Sequence, residues 1–198
     1  VSAAHGDKLE VILDAAFRLF GSSGFYETKM SEIADEAGIA KGTLYLYFTS
    51  KEELFTAVTK RDFDRFLEQL GPKLEAAGFL EDKLQVIASH HLGYYYSVRD
   101  YTRLFFHTPN RDQKLMDTMY AFISAYTRMI AAMLEEHGVT DSWLHAKSFI
   151  GILDVFKMDI LFNPAFSEQD LAQRTGFAVR LFRYGCKPDT AENREHTS

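Results

Sequence analysis

Residues 37–54 read Ala37-Gly38-Ile39-Ala40-Lys41-Gly42-Thr43-Leu44-Tyr45-Leu46-Tyr47-Phe48-Thr49-Ser50-Lys51-Glu52-Glu53-Leu54, and the fold is decided by how this stretch is punctuated. Gly38 supplies the left-handed residue on which a short helix ends. A second brief helix is predicted from about Lys41 to Phe48, where Leu44 and Phe48, four apart, share a face. Ser50-x-x-Glu53 is a capping box that opens the next helix. Helix, tight turn, helix is the plan of a helix-turn-helix, whose second helix lies in the DNA major groove. From Lys41 to Lys51 stand two lysines, two threonines, a serine and two tyrosines, with no acidic residue among them.

Upstream, Leu9, Ile12, Leu13, Ala16, Leu19 and Phe20 recur at helical spacing and predict an amphipathic helix from about Asp7 to Phe20, closed by Gly21-Ser22-Ser23-Gly24. Met30, Ile33, Ala34 and Ala37 form the inner face of the helix before Gly38. These elements predict a three-helix bundle with a core of Leu13, Ala16, Phe20, Phe25, Ile33, Ala34, Ile39, Leu44 and Phe48. At these residues the chain resembles the TetR family of transcriptional regulators. The likeness runs from about Leu9 to Leu54 through Ile12-Leu13-Asp14-Ala15-Ala16, Gly24-Phe25, Ile33-Ala34, Ala37-Gly38-Ile39, Lys41-Gly42-Thr43-Leu44-Tyr45, Tyr47-Phe48 and Lys51-Glu52-Glu53-Leu54. Beyond Leu54 it is one of architecture only.

The resemblance implies DNA contact at Lys41, Gly42, Thr43, Tyr45, Tyr47 and Lys51. The residue types suit the task. Lys41 at a helix start can meet a phosphate or a guanine edge, and Gly42 lets backbone approach backbone. Thr43 can address a base edge or a thymine methyl, and Tyr45 and Tyr47 offer hydroxyls to sugar and phosphate. Lys51 beside a helix start is expected to clamp a further phosphate. The family often carries threonines just before the second helix, where this chain has Lys29 and Met30. Lys29 can replace such a contact with charge and Met30 cannot, so Thr28 and Ser31 are the hydroxyls at hand. Leu46 stands where relatives often have a polar or aromatic residue.

The helix from Ser50 carries Leu54, Phe55, Val58, Phe63, Phe66, Leu67 and Leu70, with a slip of phase at Arg61-Asp62 and a bend or end expected at Gly71-Pro72. Further helices are predicted over 80–98, 101–107, 110–137, 142–162 and 167–185, about nine in all and no sheet. The expected organisation is a helix-turn-helix DNA-binding domain over 1–50, a connector helix over 51–72, an effector-binding and dimerisation domain over 73–186 and a disordered tail over 187–198. Aromatic residues gather after Gly78, and an apolar site with a few polar groups suits a small effector. The expected lining is His91, Tyr95, Phe106, Tyr126, Phe149 and Phe156, although helical stripes of aromatics also build ordinary cores. Ile152, Ile160, Ala178, Leu181 and Phe182 on the last two helices are the expected dimer interface, as the family implies.

Aromatic residues make up 14% of the chain, and the net charge of −6 argues against a protein that coats nucleic acid without specificity. Seven basic and nine acidic residues precede Asp62, so charge has to be sorted locally. Cys186 is the one cysteine, which suits a reducing cytoplasm. The start, which lacks methionine, has no signal-peptide layout, and no apolar run reaches membrane-spanning length. His90, His91, His107, His137 and His145 lack metal-ligand spacing, no cofactor is implied, and no nucleophile–base constellation supports catalysis. The sequence thus predicts an all-α homodimeric repressor of a palindromic double-stranded operator, released by a small-molecule effector. Control by a protein partner instead of an effector is the alternative.

Overall fold

A computed structural model of the protein describes residues 2–103 and 113–186, the side chains of residues 2–6 excepted. Among these residues there are nine helices and no strand: α1 (Ser2–Ser23), α2 (Met30–Glu36), α3 (Lys41–Tyr47), α4 (Lys51–Ala76), α5 (Leu80–Ser97), α6 (Arg99–Arg103), α7 (Gln113–Glu136), α8 (Ser142–Phe162) and α9 (Glu168–Tyr184). Expectations that fall on Phe106, His107, Asn110 and residues 187–198 lie outside the described residues.

The first three helices close around Leu13, Ala16, Phe20, Phe25, Ile33, Ala34, Leu44 and Phe48, all buried, with Ile39 packed against them. Gly38 makes the turn between α2 and α3 with φ of +64°. The amide of Ile39 returns to the Ala34 carbonyl at 2.9 Å, so a carbonyl left over at the end of α2 is satisfied by the turn itself. At the start of α4, Ser50 Oγ accepts the Glu53 amide at 3.1 Å. The Glu53 carboxylate reaches one residue further back than the usual box, accepting both the amide and the hydroxyl of Thr49 at 2.8 and 2.7 Å. These bonds hold its carboxyl below the ordinary glutamate range.

Helix α4 belongs to two cores. Leu54, Phe55 and Val58 complete the N-terminal one, whereas Phe66, Leu70 and Leu74 enter a second with α5, α7, α8 and α9. The alternative of an end at Gly71-Pro72 is corrected: the helix continues to Ala76 with Pro72 inside it. Leu70 and Leu74 are both buried on either side of the proline, and that burial outweighs the one backbone donor the ring removes. Two helices past the connector also reach back into the first core. Tyr101 of α6 stacks on Phe17 of α1 at 4.5 Å and lies near Phe55, and Leu115 of α7 is buried in the same cluster.

His90 is buried by design of the α4–α5 seam. Its Nε2 donates to the Phe66 carbonyl at 2.8 Å, and Lys73 Nζ donates to its Nδ1 at 3.1 Å. A lysine donor on one nitrogen requires a neutral ring. Desolvation and the Lys73 charge keep it so, holding the imidazole below its ordinary value.

Candidate functional site

Helix α3 is about two turns of structure held from beneath. Leu44 is fully buried and Phe48 nearly so, which fixes the helix and leaves its other sides to the outside. Lys41, Gly42 and Tyr45 are exposed, Thr43 and Tyr47 half-buried, and Leu46 is 86% exposed. Lys41 Nζ lies 5.9 Å from the Tyr45 ring centre. A Cβ built on Gly42 would meet no atom within 4 Å, so nothing inside the subunit demands a glycine there.

Several of the acidic residues that precede Asp62 are engaged away from α3. Arg61 bonds Asp14 at 2.7 Å, Arg65 bonds Glu10 at 2.6 Å, and Arg18 bonds Glu36 at 3.0 Å. Glu32 accepts the Lys29 amide at 3.0 Å and caps α2, while the Lys29 side chain stays largely exposed.

Two expected contributors sit elsewhere. Thr28 is buried and its hydroxyl donates to the Gly24 carbonyl at 2.6 Å, so it does not compensate for the missing threonines. Lys51 was expected to clamp phosphate; its ammonium instead donates to the carbonyls of Tyr26 and Thr28 at 3.1 and 2.9 Å and lies 4.7 Å from the Phe25 ring centre. Those two carbonyls lie in the loop between α1 and α2, which Lys51 ties to the start of α4.

In the C-terminal half two small cavities adjoin. One of about 120 Å³ is lined by Thr59, Asp62, Tyr94, Tyr101 and Thr102, the other of about 90 Å³ by His91, Phe122, Tyr126, Ile150 and Asp154, and Phe63, Tyr95, Met119 and Lys157 line both. The expected residues His91, Tyr95 and Tyr126 are therefore brought together. Phe149 and Phe156 are not. Phe149 is fully buried against Phe182, ring centres 4.6 Å apart, and Phe156 packs on Phe177. Both face the α8–α9 seam because α8 is apolar almost all round, and its periodicity could not say which apolar side meets the cavity.

The polar lining escaped the sequence reading. Asp154 and Lys157, charged residues three apart in the middle of a largely apolar helix, were the signal available. Lys157 bonds Asp154 at 2.5 Å and lies 4.7 Å from the Tyr95 ring centre. Desolvation pushes the Asp154 carboxyl up; the neighbouring His91 and the Lys157 charge outweigh it and hold the group at about 2. Burial works the other way on His91, keeping it neutral. Asp62 accepts the Tyr94 hydroxyl, and burial raises both groups.

Of the expected interface, Ile160 and Ala178 are sealed in the subunit's own core, Ile152 and Phe182 are half-buried against it, and Leu181 is half-buried. The exposed faces lie a step round each helix. On α8 they carry Leu144, Gly151, Val155, Met158 and Phe162, and on α9 Phe177 and Tyr184, at spacings of three, four or seven. Among the described residues no cluster of His, Cys, Asp or Glu could hold a metal, and no helix is long and apolar enough to cross a membrane.

Residues 12–58 match the family model described as bacterial regulatory proteins, tetR family. The fatty acid metabolism regulator protein of Bacillus subtilis is 32% identical over 80 residues, 40% of this chain and 41% of that protein. The transcriptional regulator UidR of Escherichia coli K12 is 35% identical over 78 residues, 39% of this chain and 40% of its own. The chain thus spans about two-fifths of the length of these curated relatives. A solved TetR-family regulator from Mesorhizobium loti is 25% identical, with a TM-score of 0.76 over 89% of this chain and 95% of its own. FadR of Bacillus subtilis, solved in complex with stearoyl-CoA, shares the fold at 21% identity, with a TM-score of 0.73 over 90% of this chain and 99% of its own.

Proposed function

Because the chain belongs to the TetR family of bacterial regulatory proteins, we propose that it is a homodimeric repressor whose α3 helices read a palindromic operator and let go when a small effector fills the cavities between α4 and α8. The observation that carries the reading is α3 itself. A helix of seven residues, anchored by Leu44 and Phe48, presents a lysine, a glycine and tyrosines, and nothing acidic. DNA contact is assigned to Lys29, Lys41, Gly42, Thr43, Tyr45 and Tyr47, with Lys51 in a supporting place behind them.

A single helix this short makes few contacts, and a twofold pair addresses two half-sites about 34–36 Å apart or a multiple of that. The exposed apolar faces of α8 and α9 supply the surface for that pairing, with a second copy as the occupant. The adjoining cavities favour an effector over control by a protein partner, since a filled domain would leave no space for one. The effector must bind the released state better than the DNA-bound one, by roughly 1–3 kcal/mol in a typical coupled system.

Footprinting on the promoter beside the encoding gene tests the reading. Protection of a palindromic site is expected, and it should vanish with Tyr45→Ala and with Lys41→Ala while both variants remain folded dimers. An unprotected promoter at moderate salt, or unchanged affinity in both variants, would remove the assignment.

A further inference from the structure

Leu44 is the inward residue of α3 and fully buried, so directions round the helix can be taken from it. At about 100° per residue, Lys41 and Tyr45 fall on one flank and Thr43 and Tyr47 on the other. The apex opposite Leu44 is shared by Gly42 and Leu46, each about 160° away from it. Exposure follows this wheel. Leu46, at 86%, is the most exposed large apolar side chain among the described residues. It does little for the fold, since Leu44 and Phe48 anchor α3 without it. One exposed leucine is ordinary on a protein surface, and it is the place of this one that matters. A helical side chain leans over the turn before its own, and here that turn carries Gly42. The space there is open, with no atom within 4 Å of a Cβ built on the glycine.

Leucine neither donates nor accepts a hydrogen bond. The groups that base pairs present in the major groove are donors and acceptors, except for the C5-methyl of thymine. Pressed on a cytosine amino group or a purine N7, the side chain would strip water from a polar atom and return no bond. Against the thymine methyl, the same contact removes apolar surface from water on both sides. Resting on the reading of α3 as the operator-facing helix, we infer that Leu46 is a specificity-determining residue that packs on a thymine methyl, one in each half-site of the duplex. Gly42 lets the helix approach closely enough for that contact. The flanking lysine, threonine and tyrosines set the register through phosphate, sugar and neighbouring base edges.

The test takes the site protected in footprinting and replaces thymine by uracil, which pairs in the same way and lacks only the methyl. Duplexes carry one such change per half-site, position by position, and are titrated by gel shift with the full chain. One thymine is expected at which uracil weakens binding about four-fold per half-site, the worth of one buried methyl. Leu46→Ala should melt as the parent protein does and bind that thymine duplex and its uracil counterpart alike. Any thymine read by Thr43 or Tyr45 should keep its effect in the variant. Uracil without effect at every position, or differences that all survive Leu46→Ala undiminished, would overturn the methyl contact. Both results presuppose a protected site and so leave the regulator reading standing. An unprotected promoter removes that reading, and the contact falls with it.

Discussion

A methyl group added at Gly42 would touch nothing in the subunit, and this separates two roles that glycines usually confound. Gly42→Ala should raise thermal stability by about 0.5–1 kcal/mol, because alanine is the better helix former. The same change should weaken operator binding in a gel-shift titration; equal affinity would mean that no DNA backbone comes close at this position. Gly38 is the opposite case. Its φ of +64° is left-handed, so Gly38→Ala should destabilise the fold by about 1–2 kcal/mol in urea titration. Lys51 gives a third contrast. With its ammonium on the Tyr26 and Thr28 carbonyls, Lys51→Met should lower stability by about 1–2 kcal/mol, as lost bonds from a charged donor do. The dependence of operator affinity on salt should stay as it is, whereas a phosphate clamp would take about one unit off the slope.

Among the elements, α5 is the one that answers to pH. His90 and His91 are both held neutral below the ordinary histidine value of 6.5. The unfolded chain therefore binds more protons than the folded one as pH falls through 6.5, and stability drops in that window. Melting temperature should fall between about pH 7 and pH 5, and by less in His91→Gln; equal slopes would refute the assignment. Asp154 acts in the same sense in a more acid window, its contribution being present above the ordinary aspartate value of 3.8 and lost as pH falls towards about 2. How far each element could be read from sequence follows from its pattern. The first bundle was legible because apolar residues such as Leu13 and Phe20 on α1, Ile33 on α2 and Leu44 on α3 mark the inner face of each helix, and the glycines mark its turns. Helix α8 was not legible in detail. Phe149, Ile152, Phe156 and Ile160 are as apolar as Leu144, Val155 and Phe162, and only packing tells buried from exposed. The cavity was half legible: its tyrosines and His91 stood out, but Lys157 and Asp62 acquire meaning only when α4 and α8 face one another.

At the scale of the whole molecule, the exposed seam on α8 and α9 makes a prediction about assembly. Val155 is 65% exposed, so Val155→Arg should fold normally and sediment as a monomer. Its operator affinity should drop roughly a hundredfold or more, since two reading helices would no longer act together. A variant that stayed dimeric would move the interface to another face. The consequence of α4 serving two cores is geometrical. It is a stiff rod, and about 16 Å of it separates Asp62 at the cavity from Lys51 behind the reading helix. Tilting such a rod by about 10° displaces its far end by roughly 3 Å, the full length of a hydrogen bond. Twofold symmetry repeats that travel at the other half-site, so a shift too small to notice inside the protein is enough to put both hands out of reach of the groove.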